Sequence, residues 1–194
     1  MMESFIETTT SKEAFVLFHG TAGNEFSLLF LTGELDPHAN VISFLGDVGT
    51  GVERRFFAPL NDHQLDKDDY DNHVNRFLKE WQEMEISYDK ITFIGYSNGA
   101  NFIQGIIKEN PDIADEVILI HPQNFDFKFE EKGNIKRILL TIGANDTMII
   151  PGDIVRLKQD LQRVFPDVSL EITDGGHGVD DEEVAAISKW YKSN

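Results

Sequence analysis

Six short runs dominated by Val, Ile, Leu and Phe, at residues 14–18, 41–45, 91–94, 117–120, 138–142 and 168–172, punctuate the chain, with longer segments between most of them. Each run is continuously apolar rather than alternating, the pattern of a strand buried on both faces, as in a parallel sheet covered by helices. The segments between them carry the helical period. Tyr70, Val74, Phe77, Leu78, Trp81 and Met84 mark one apolar face of a helix whose other face is acidic and polar. A second helix is predicted from about Asn98 to just before Pro111, and a third from Pro151 or Gly152 to Phe165, ahead of Pro166. The last runs from about Asp181 to Tyr191 and opens on an acidic cluster suited to a helix N-terminus. Strands alternating with helices specify an α/β domain of three layers with a mostly parallel sheet.

The 194 residues suit one domain, 1–194, with no internal repeat, low-complexity tract or Pro/Gly/Ser linker to divide it. The least regular stretches are 46–67 and 122–133, and long irregular segments in a compact α/β domain serve as walls of sites. Cysteine is absent, so disulfides, thiolate metal ligation and a cysteine nucleophile are all excluded. The formal net charge of −17 disfavours nucleic acid and anionic lipid surfaces as partners and favours neutral or cationic small molecules. Neither a long uncharged apolar stretch nor a basic-then-apolar leader is visible, so the expectation is a soluble cytoplasmic protein.

The chemistry concentrates at the ends of the apolar runs. Gly95-Tyr96-Ser97-Asn98-Gly99 follows the run at 91–94 and precedes a predicted helix. This strand–turn–helix setting is what gives an otherwise weak Gly-x-Ser-x-Gly pattern its force. A serine hydroxyl needs a base to take its proton and a third group to hold that base in one tautomer. After Ser97 only His121 and His177 remain as histidines. His121 closes an apolar strand and suits a hydrogen-bonded structural role, whereas His177 sits in the loop Gly175-Gly176-His177-Gly178 after the last strand. Asp146, in Gly143-Ala144-Asn145-Asp146, lies at the carboxyl edge of the sheet, where open α/β sheets place their sites, with Asp174 as its rival for the acid. The backbone N–H groups of Asn98 and of Thr21, in His19-Gly20-Thr21-Ala22-Gly23 after the first run, are the candidate oxyanion donors.

Together, His19-Gly20-Thr21-Ala22-Gly23-Asn24-Glu25, Gly95-Tyr96-Ser97-Asn98-Gly99-Ala100-Asn101, Gly143-x-x-Asp146 with Pro151, and Gly175-Gly176-His177 closely resemble the phospholipase/carboxylesterase branch of the α/β hydrolases, related to acyl-protein thioesterases and dienelactone hydrolases. The resemblance spans nearly the whole chain. It implies a carboxylester-cleaving enzyme without a cap domain, with Ser97 as nucleophile, Asp146 and His177 completing a triad, and Thr21 and Asn98 shaping the oxyanion hole. It does not extend to the cysteine nucleophile of dienelactone hydrolases. Arg54-Arg55-Phe56-Phe57 also resembles an Arg-Phe-Phe segment that follows the second strand in bacterial members, although here Gly-Asp-Val-Gly-Thr-Gly precedes it.

The function expected is therefore hydrolysis of a small carboxylic ester or thioester through an acyl-enzyme, with no metal or cofactor. A slow or non-hydrolytic binding or sensing protein of the same fold is the alternative, and a lyase or peptidase the third. Phe56, Phe57 and Phe125 are the expected substrate-pocket residues. About fifteen residues separate His121 from the run at 138, too few for a lid. A pocket walled by a few aromatics should be shallow and select acyl chains of about two to six carbons.

Overall fold

The computed structural model describes residues 1–62 and 64–193. The six apolar runs form parallel strands: β2 (Glu13–Phe18), β3 (Asn40–Phe44), β4 (Lys90–Tyr96), β5 (Glu116–Ile120), β6 (Arg137–Gly143) and β7 (Val168–Thr173). An additional strand, β1 (Ser4–Glu7), lies antiparallel on the outer edge of β3, giving the order β1-β3-β2-β4-β5-β6-β7. Its sequence, Ser-Phe-Ile-Glu, is too short and too polar to register as a buried run.

The helices are α1 (Leu29–Leu35), α2 (Lys67–Glu83), α3 (Asn98–Glu109), α4 (Pro151–Leu161) and α5 (Asp181–Tyr191). Side chains alternate across each strand, so one face of the sheet packs against α2, α3 and α4 and the other against α1 and α5. The first face is notably aromatic. Phe18 lies at its centre, with the rings of Phe44, Phe56, Phe77, Phe93 and Phe102 all within 6 Å of its own. Such ring pairs add to the burial of their area. The second face is closed by α5, whose C-terminal end is clasped from the sheet. The Arg137 guanidinium binds Glu116 at 2.7 Å and lies over the Trp190 ring, and the Tyr191 hydroxyl donates to Glu13 at 3.0 Å.

The helix expected to reach Phe165 ends at Leu161, and residues 162–164 follow as a turn. Helix α1 is absent from the sequence expectation because Leu-Phe-Leu-Thr-Gly-Glu-Leu carries a mid-helix glycine and has no side-chain N-cap. The connection from β5 to β6, residues 121–136, contains no helix, and among the described residues no element caps the carboxyl edge of the sheet. Up to the start of α2 at Lys67, the 46–67 stretch is irregular apart from a 3-10 turn at Gly51–Glu53 and the isolated bridges Val48–Arg55 and Asn61–Gln64, with His63 outside the described residues.

Candidate active site

Ser97 occupies the turn between β4 and α3 at φ 49° and ψ −111°, in the left-handed region that side chains rarely adopt. The flanking glycines make the turn possible. A Cβ on Gly99 would stand 2.0 Å from the Phe18 carbonyl oxygen, and one on Gly95 would stand 2.6 Å from the Ala100 nitrogen. The two remaining positions of the pentapeptide tie neighbouring loops to it. The Tyr96 hydroxyl donates to the His177 carbonyl at 2.8 Å, and the Asn98 Oδ1 accepts from the Phe56 N–H at 2.8 Å.

His177, in the loop between β7 and α5, places Nε2 3.0 Å from the Ser97 Oγ and Nδ1 2.7 Å from the Asp146 Oδ2. Asp146 lies in the turn after β6. Its Oδ1 accepts from the backbone N–H groups of Met148 and Ile149, at 2.8 and 3.0 Å. Burial alone would raise the Asp146 pKa, but the hydrogen bonds from His177, from His121 and from these N–H groups hold it below the usual carboxylate value. The rival acid, Asp174, is exposed, and it is Asp146 that meets His177.

The loop that follows β2 is held from within. Gly46 N–H donates to the His19 Nε2 at 2.9 Å, so the ring proton is on Nδ1, which donates to the Gly20 carbonyl at 2.6 Å. Burial lowers the His19 pKa and keeps that ring neutral. Ala22 N–H donates to the Arg54 carbonyl at 2.9 Å, and the Arg54 guanidinium donates to the Gly46 carbonyl at 3.0 Å. Among the described residues, the N–H groups of Thr21 and Asn98 find no protein acceptor, and both residues line the cleft that holds Ser97. Two free donors beside a serine can receive a developing oxyanion.

The cleft encloses about 410 Å³, with Arg55, Phe57, Leu60, Phe125 and Ile149 among its walls. Phe57 and Phe125 stand where the sequence suggests. Phe56 does not, and this corrects the expectation: its side chain is wholly buried, stacked on Phe102 at 5.2 Å and packed against His19. Residues 54–57 form a strap whose backbone binds both the β2 loop and Asn98. One phenylalanine therefore faces the aromatic core and the next faces the cleft.

Two further side chains reach the same cluster. His121, at φ 49° just beyond β5, points Nδ1 at the Asp146 Oδ2 (2.8 Å) and Nε2 at the Glu183 Oε2 (3.0 Å). The hydrogen-bonded role expected for His121 is thus seen, with partners that sequence alone does not name. Glu183 was read only as part of an acidic helix start. Yet it lies four residues before Ile187 and seven before Trp190, on the face that α5 buries, and that phase was the available signal. His121, Asp146 and His177 put ligand-type atoms within 4.8 Å of one another. Both Nδ1 atoms are already committed to the Asp146 Oδ2, so the cluster is a hydrogen-bonded array rather than an open coordination site.

A mostly parallel sheet flanked by five helices, with a serine on a strained strand-to-helix turn, defines the α/β-hydrolase fold. The comparisons agree. No family model matches the chain. It is 28% identical to the candidate hydrolase MhqD of Bacillus subtilis (strain 168), with 98% of each chain covered. It also resembles the Bacillus cereus carboxylesterase, with TM-score 0.86 and 27% identity over 98% of this chain and 93% of that one. The carboxylesterase of Mesorhizobium loti shares the fold with TM-score 0.85 at 23% identity, covering 96% of this chain and 91% of the other. These likenesses support a hydrolase of the esterase kind. No helix among the described residues is long and apolar enough to cross a membrane.

Proposed function

We propose that the protein is a serine carboxylesterase that cleaves small, short-acyl carboxylic esters or thioesters through an acyl-enzyme. The observation that carries this reading is the continuous line Ser97 Oγ, His177, Asp146, with links of 3.0 and 2.7 Å, ending on a carboxylate kept ionised by its hydrogen bonds. In this reading His177 takes the Ser97 proton as the hydroxyl oxygen attacks the ester carbonyl. The tetrahedral oxygen lies against the N–H groups of Thr21 and Asn98. Collapse expels the alcohol or thiol, which receives the proton from His177. Water, deprotonated by the same imidazole, then attacks the acyl-enzyme and releases the acid.

Phe57, Phe125, Leu60 and Ile149 supply an apolar wall for the acyl group. The partner in this reading is a small-molecule ester. A net charge of −17 and the absence of a membrane-spanning helix among the described residues support a soluble, cytoplasmic enzyme that acts on neither nucleic acid nor lipid surfaces. The test is a fluorophosphonate probe combined with a screen of p-nitrophenyl esters and acyl-CoA. Labelling at Ser97 together with turnover is expected. A folded protein that the probe leaves unlabelled would instead be a ligand-binding member of the fold.

A further inference from the structure

The Asp146 Oδ2 that receives His177 also receives a second imidazole, that of His121. His121 is almost fully buried, and both of its ring nitrogens meet carboxylate oxygens, Asp146 on one side and Glu183 on the other. A neutral imidazole has one donor and one lone pair, so one of these contacts would set a lone pair against an anionic oxygen. An imidazolium satisfies both. Glu183 is 1% exposed, and among the described residues its Oε1 has no hydrogen-bond partner, so the polar contact of this carboxyl group in the interior is the one Oε2 makes with His121.

We propose that His121 and Glu183 are a buried positioning pair for the active site, in which a protonated His121 holds the same Asp146 oxygen, Oδ2, that receives His177, and sets a positive charge beside the His177 ring. This rests on the reading of Ser97, His177 and Asp146 as a catalytic triad. The groups facing His121 are few. Asp146 comes from the turn after β6 and Glu183 from α5. His177 comes from the loop after β7, its ring centroid 5.1 Å away. Tyr96 comes from β4, its ring set edge-on at 5.9 Å and its pKa raised by burial and then by the Asp146 and Glu183 charges, so it remains a neutral phenol. Burial alone would lower the His121 pKa, but the two carboxylates outweigh it and raise it.

The consequence lies in the arrangement of charge. His121 and Glu183 cancel in sum, but their positive end faces Asp146 and His177. A second imidazolium at His177 would form about 5 Å from the first, and the repulsion is only partly screened in a buried site. The acid limb of the activity profile is therefore set by this pair as well as by the triad. The hydrogen bond from His121 to the Asp146 Oδ2 also helps to fix the carboxylate that orients His177.

Two measurements test this. In the double variant His121→Gln/Glu183→Gln, both amides can still hydrogen-bond, and no lone charge is left buried. The acid limb of the kcat/KM profile should move up by about one pH unit, with kcat reduced by about threefold to tenfold and KM within about twofold. A merely structural role would lower the melting temperature and leave the limb in place, so an unmoved limb in a folded variant overturns the proposal. The wild-type protein gives a second reading should the variant not fold. By 15N histidine NMR between pH 5 and 8, His121 should keep both ring protons. A His121 that loses a proton in that range overturns the proposal as well. Labelling of Ser97 by a fluorophosphonate is followed alongside. If the wild type is not labelled, it is the triad reading that fails; if it is labelled and the limb stays put, only the His121–Glu183 pair fails.

Discussion

Asp146 accepts four hydrogen bonds and its side chain is wholly buried, whereas Met148, two residues further on in the cleft wall, is 71% exposed. The floor and the rim of the cleft are thus built by different means a few ångströms apart. On the floor, every polar group that would act on an ester is positioned by a second group: His177 by Asp146 and Tyr96, the β2 loop by His19 and Arg54, and Asn98 by the Phe56 backbone. The rim is formed mainly by apolar side chains on irregular segments, some packed on the core like Phe57 and some exposed like Met148. A floor so heavily tied preserves one chemistry, while a rim of apolar side chains can change its substrate with few substitutions.

Ser97→Ala provides the harshest test of that division. It should lower ester kcat by roughly a thousandfold or more, and His177→Ala added to it should cost little further, because triad members act as a unit. Near-additive losses in the double variant would mean that floor residues do not work together. Phe56 and Phe57, neighbours in sequence, separate floor from rim most cleanly. Phe56→Ala removes a wholly buried ring and should cost about 3–4 kcal/mol of stability in a urea titration, with the acyl-chain preference of the surviving enzyme unchanged. If it shifts that preference instead, the strap is part of the rim.

The sequence discloses the floor far better than the details around it. Parallel strands are apolar on both faces, and the turns at their carboxyl ends must carry Gly, Asp or His, so Ser97, Asp146 and His177 could all be picked out and the structure brings them together. Edge strand β1 escaped because its four residues are mostly exposed, with only Phe5 partly buried, so it carries no continuous apolar run. Phe56 and Phe57 are both expected in the pocket from the Arg-Phe-Phe resemblance, and residue type alone does not say which of two adjacent rings turns into the core. Glu183 was hidden by its company. Three acidic residues open α5, and only the helix phase distinguishes the one that turns inward.

Smaller effects should come from the rim. Turnover of p-nitrophenyl esters should peak between about two and six acyl carbons, because each buried methylene contributes about 0.8 kcal/mol, roughly fourfold in kcat/KM, until the aromatic wall is met. Phe125→Ala should move that peak two to four carbons longer with kcat on acetate little changed. A wild-type maximum at twelve carbons or more would show that the tail simply leaves the cleft.

The smallest effect is on stability against pH, and it returns to the floor. The raised pKa of His121 contributes stability that is full below the unfolded histidine value of about 6.5 and is lost as pH rises through the folded value. The lowered pKa of Asp146 contributes above about 3.9 and is lost as pH falls through its folded value. The melting temperature should therefore be highest between these limits and decline above about pH 6.5, with a shallower decline when His121 is replaced by Gln. A melting temperature flat from pH 6 to 9 would show that no buried imidazolium contributes to the fold.

The hydrogen bond from His177 to Ser97 joins residues 80 positions apart, and the tyrosine that pins the His177 loop sits 81 positions from it. Helices can form within their own short stretches of chain, but these contacts cannot close until β4, β5, β6 and β7 have joined edge to edge. Ester turnover is then a clock for the last stage of folding. During refolding from denaturant, the helical circular dichroism signal should recover first and activity last, and the interval between them measures the time the sheet takes to assemble across its width.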